Sequence, residues 1–80
     1  MSRLERNDSG RRAVLDEGRG DDGALVYVLR LYRANGQRAV RRESSDFRAL
    51  AAETADWMEW SERRELLPVL LAVLEGTRHD

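Results

Sequence analysis

The chain has no cysteine and no lysine, a single proline at Pro68 and a single histidine at His79. Without cysteine there is no disulfide staple and no thiolate metal site, and one histidine is too few for an ordinary zinc centre. Without lysine, Schiff-base chemistry has no amine to use. Without a histidine beside a nucleophile, a hydrolytic triad cannot be assembled from this sequence. No apolar run approaches the ~18 residues that span a bilayer. The first residues, MSRLERNDSG, carry no apolar stretch of the signal-peptide kind. A soluble, cytoplasmic chain is expected, with no cofactor, no metal and no small-molecule substrate.

What is present is charge. All fourteen basic residues are arginine, set against fifteen Asp and Glu, for a net charge of −1. A GC-rich coding sequence would explain the arginine bias; selection for planar, bidentate contacts to carboxylates or phosphates is the functional alternative. The charge is unevenly spread. Residues 1–23 have a net charge of −1, residues 24–43 of +4 and residues 44–80 of −4. With 80 residues the chain has room for one small domain. A domain of that size buries only about 60% of its unfolded surface, so help from self-association or a larger partner is expected.

The organising stretch runs from Ala24 to Glu43, an apolar run and a mixed run joined by Asn35-Gly36. That dipeptide between two alternating runs is the strongest short-range hairpin signal, and it predicts a two-residue type I′ turn. In that register Leu31 faces Val40, Tyr32 faces Ala39 and Arg30 faces Arg41. Leu25, Tyr27, Leu29 and Leu31 fall on one side, the side helices should cover; Val26, Val28, Arg30 and Tyr32 fall on the other. Two arginines directly opposite one another repel unless something anionic lies across them. Arg30, Tyr32 and Arg41 are therefore candidate partner-binding residues. The alternative is that they splay into water and discourage edge-to-edge aggregation.

Residues 1–23 are polar and rich in Gly, Asp and Arg, a composition that predicts a largely flexible segment. Within it, Arg12–Asp16 contains Ala13-Val14-Leu15 and could add a third, edge strand. Arg19-Gly20-Asp21 spells the tripeptide integrins recognise, but three residues carry no adhesion reading.

After Glu43 the pattern is helical. Ser44-Ser45-Asp46 supplies a helix start. Phe47, Leu50, Ala51, Thr54, Trp57 and Met58 recur on one face, which predicts Trp57 in the core. Trp60 falls off that stripe, where it either packs under a second helix or anchors a partner. The expected break lies near Trp60-Ser61, with a second helix from about Glu62 to Glu75 kinked at Pro68; a break at Pro68 itself is the alternative. Gly76 should stop the helix, leaving residues 77–80 as a tail. Leu67, Leu70, Leu71 and Leu74 make one apolar face of this helix and Leu66, Val69 and Val73 a second. A helix apolar all round must be covered all round, so Leu66, Val69 and Val73 are expected to bind a partner or a second copy.

The sequence therefore predicts an α+β domain over 24–76: an antiparallel β-hairpin, with or without a third edge strand, packed against two antiparallel helices. The expected function is a non-catalytic protein-binding module, an adaptor or inhibitor acting alone or as a homodimer, using Trp60, Leu66, Val69, Val73, Arg30, Tyr32 and Arg41. The alternative is a nucleic-acid-binding accessory protein using the hairpin arginines. Against the latter stands a pI near 5.8, where a basic domain is expected.

Overall fold

The computed structural model describes residues 2–77. Its elements follow in the order β1 (Ser2–Asp8), β2 (Arg11–Arg19), β3 (Leu25–Tyr32), β4 (Arg38–Ser44), α1 (Phe47–Trp57) and α2 (Trp60–Gly76). The strands form one four-stranded antiparallel meander in chain order, and both helices pack on the same face of it. The domain is α+β, with a sheet twice as wide as a hairpin.

The amino-terminal segment is the main correction. Residues expected to be largely flexible form β1 and β2, and Arg12–Asp16 belongs to an interior strand, paired with β1 on one side and β3 on the other. The turn between them is Ser9-Gly10, with φ of 52° and 84°. Two successive positive φ values are the requirement of a type I′ turn, so that turn sits here and not at Asn35-Gly36. The β3–β4 connection instead has a three-residue loop: Arg33 N–H donates to Gln37 O and Gly36 N–H to Arg33 O, both at 2.9 Å. Gly36 alone is left-handed there, at φ 86°. The β2–β3 connection repeats this arrangement. Gly20 N–H donates to Ala24 O at 2.8 Å, Gly23 N–H to Gly20 O at 2.9 Å, and Gly23 has φ 80°. In each loop the residue before the glycine, Asp22 or Asn35, accepts a backbone N–H two residues on, the Asx geometry that pre-forms such turns.

A loop one residue longer than expected should shift the β3–β4 register, and it does at one place. Tyr32 pairs with Arg38, not Ala39, and an irregularity between Leu31 and Tyr32 takes up one residue. Below it Leu31 pairs with Val40 and Arg30 with Arg41. The bulge restores the alternation, because a slip there would turn the apolar face of β4 outward.

Period-two alternation then gives the helix-covered face: Ala13 and Leu15, Leu29 and Leu31, and Val40 are all buried. Leu50 and Met58 meet them from the α1 side, and Leu66, Val69, Leu70 and Val73 from α2, in one cluster. Tyr27 and Phe47 close its lower end with ring centroids 5.7 Å apart.

Asp46 caps α1, its carboxylate accepting the N–H groups of Arg48 and Ala49; Ser44 acts one step earlier, accepting the N–H of Asp46. Thr54 is fully buried, and its hydroxyl donates to Leu50 O at 2.7 Å, so its burial leaves no unpaired group. The helix break is at Met58-Glu59, both extended, and α2 continues through Pro68. The Arg63 guanidinium donates to Ala55 O at 2.6 and 3.1 Å, satisfying a carbonyl left open at the end of α1. Gly76 is the last helical residue. A Cβ there would lie 2.9 Å from Leu4 Cδ2 and 2.8 Å from Arg6 Nη2, so glycine permits α2 to close onto β1. Arg78–Asp80, including His79, lie outside the described residues.

Candidate protein-binding surfaces

The second helix is where expectation and structure part most sharply. Leu66, Val69 and Val73 have relative exposures of 0% within the single chain. They cannot be an open surface for a partner. The reason is the width of the sheet. α2 rests mainly on β1 and β2, the strands the amino-terminal composition concealed, and those strands supply the cover that a two-stranded hairpin lacks. The exposed line of α2 consists instead of Trp60, Arg64, Pro68, Leu71 and Glu75.

Arg30, Tyr32 and Arg41 lie on the opposite, uncovered face of the sheet. The anion required across the Arg30–Arg41 pair comes from the chain itself. Arg30 Nη2 meets Asp16 Oδ2 at 2.6 Å, and Arg3 Nε meets Asp16 Oδ1 at 2.7 Å. Arg41 pairs with Glu43 at 3.2 Å. Arg30 also donates to the Tyr32 hydroxyl at 3.2 Å, and the Arg12 guanidinium stacks 4.3 Å from the Tyr32 ring centroid. Partial burial raises the Asp16 carboxyl pKa, but the hydrogen bonds and charges of Arg3 and Arg30 outweigh it and hold the carboxyl below its usual range. Val14, in register between Glu5 and Arg30, is buried on this face. The face that looked like a partner site is largely self-compensated.

The two tryptophans behave differently. Trp57, expected in the core, is 47% exposed, with the Arg42 guanidinium 5.2 Å from its ring centroid. The backbone leaves the helix at the next residue, and Met58 turns inward in its place. Trp60 is 75% exposed. It stands at the amino end of α2 and lines a cleft of about 360 Å³ with Arg11, Ser61, Arg64 and Glu65. Glu65 is held by Arg33 at 2.8 Å, and the same arginine reaches Glu62 at 3.4 Å. Arg11 has no carboxylate within ion-pair distance among the described residues, and its Nε is enclosed without a hydrogen-bond partner, as is Glu62 Oε2.

At the other end of the domain a groove of about 460 Å³ opens between Leu4, Leu15, Tyr27 and Phe47. Among the described residues no cluster of His, Cys, Asp and Glu could hold a metal ion, and no helix is long and apolar enough to cross a membrane.

The buried stripe of α2 resembles an open interface only as long as β1 and β2, which cover it, are left out of the sheet. Trp57 is the last residue of α1, so the chain leaves the helix there, two residues earlier than the break expected near Trp60-Ser61. Comparison with known proteins returns no matching family model, no matching curated protein and no matching solved structure.

Proposed function

We propose that this protein is a non-catalytic protein-binding module, of adaptor or inhibitor type, whose docking surface is the tryptophan corner between α1 and α2. The observation that carries this reading is Trp60, three-quarters exposed on a domain whose aliphatic core is complete without it. Tryptophan and arginine are the side chains that most often dominate interfaces, because each brings a large contact area with a polar or charged edge. Arg42 lies 5.2 Å from the Trp57 ring centroid, and Trp60 lines one cleft with Arg64. The partner is another protein or a second copy of this chain.

The test is selection from displayed fragments of the native host's proteome, run in parallel on the wild-type protein and on folded Trp60→Ala. Sequences enriched on the wild type and lost on the variant support the reading. Equal enrichment on both, or none, rejects it.

Nucleic acid is the runner-up partner. It would use the sheet-face arginines, but Asp16 and Glu43 already occupy Arg30 and Arg41. A salt titration with single-stranded and duplex DNA decides it. Absence of binding at low salt, where counterion release favours it most, removes this alternative.

A further inference from the structure

Around the amino end of α2 the arginines divide into those already engaged and those left over. Arg33 is taken by Glu62 and Glu65, and Arg63 by the Ala55 carbonyl. Arg11 and Arg64 have no anionic partner among the described residues, and both line the cleft that holds Trp60. Arg64 lies four residues after Trp60 in the same helix, so the two side chains share a face. Arg11 enters from the first residue of β2, beneath them, half-buried and with its Nε unpaired.

Resting on the protein-binding reading above, we infer that this cleft takes an acidic segment of a partner protein, a carboxylate held between Arg11 and Arg64 with a neighbouring apolar side chain laid on Trp60. A guanidinium presents paired N–H donors at the spacing of two carboxylate oxygens, and two such groups without partners form a site that lacks only its anion. Tryptophan beside them supplies apolar area for the adjoining residue. The arginines Arg11, Arg33 and Arg64 outnumber Glu62 and Glu65 in this cluster, so its net charge is positive although the helical half of the chain is acidic. That setting discriminates against nucleic acid. A polyphosphate needs a track of cations, whereas Glu65 lines this cleft and the helical half of the chain is acidic. A single carboxylate within an otherwise uncharged stretch meets no such penalty.

Fluorescence anisotropy with labelled peptides tests the inference. Three peptides share a length and an apolar residue: one carries Asp and Glu, one has Asn and Gln at those positions, and one is basic. A single-stranded oligonucleotide is the fourth probe. The acidic peptide should bind, with affinity falling as salt rises. Arg64→Gln, at an exposed residue outside the core, should weaken it roughly tenfold or more, as loss of a charge-assisted hydrogen bond implies. Trp60→Ala should weaken it at least as much, and Arg11→Gln gives an independent reading where it folds. Equal binding of the neutral peptide, still sensitive to Trp60→Ala, overturns the acidic preference but keeps the docking corner. Preference for the oligonucleotide, or an acidic peptide indifferent to Arg64→Gln, overturns the inference. So does failure of every peptide to bind, and the display selection then judges the corner separately.

Discussion

The aliphatic stripe of α2 and Trp60 at its amino end belong to one helix and lie in opposite environments. Leu66, Val69, Leu70 and Val73 point at the sheet and are enclosed by it; Trp60, Arg64 and Leu71 point away and are wet. Hydrophobicity alone does not sort them, since tryptophan is as apolar in area as any residue in the stripe. Position relative to the sheet does. In a domain this small the width of one neighbouring layer decides whether an apolar face is core or interface, and an apolar residue left outside a finished core is the better candidate for recognition.

The sharpest way to break this contrast is to truncate each side. Leu66→Ala removes a fully buried side chain and should cost about 2–5 kcal/mol of stability in a urea titration, a large part of the total for a domain of this size. A loss near zero would mean the stripe is not packed as described. A charged centre on the uncovered face gives the intermediate case. Asp16→Asn leaves Arg3 and Arg30 without their shared anion and should cost about 1 kcal/mol. Because the Asp16 pKa is lowered in the folded chain, its contribution is full above the ordinary aspartate pKa near 3.8 and is lost as pH falls through the lower folded value. Acid titration of stability should therefore show a component below about pH 4 that Asp16→Asn abolishes; an unchanged acid limb would count against the Arg3–Asp16–Arg30 link. Smallest of all, Trp60→Ala should change stability by less than about 0.5 kcal/mol, as expected for a surface site away from packed neighbours. A cost comparable to that of Leu66→Ala would place the indole in the core.

Much of the fold was legible in the hairpin. Alternation through Leu29 and Leu31 named the buried face, and the Leu31–Val40 and Arg30–Arg41 pairs follow from it. They survive a wrong turn type only because the bulge beside Leu31 compensates for the longer loop. The amino-terminal strands were not legible from composition, because their charged residues are satisfied by one another across the uncovered face, as Arg3 is by Asp16. Such a strand looks like a solvated segment when read alone. The available signal was punctuation: Ser9-Gly10 and Asp22-Gly23 lie one strand-length apart and mark two further turns. Missing them left α2 without its cover, and the expectation that Leu66, Val69 and Val73 bind a partner followed directly. The cleft beside Trp60 was not legible either, since Arg11, Arg64 and Trp60 meet only once β2 is in the sheet.

Thermal unfolding measured across a wide range of protein concentration tests most directly whether one chain completes its own apolar core. A single cooperative transition at the same midpoint from dilute to concentrated solution is the expected result. A midpoint that climbs with concentration, with the fold lost on dilution, would show that the α2 stripe is covered by a second subunit and would contradict the account.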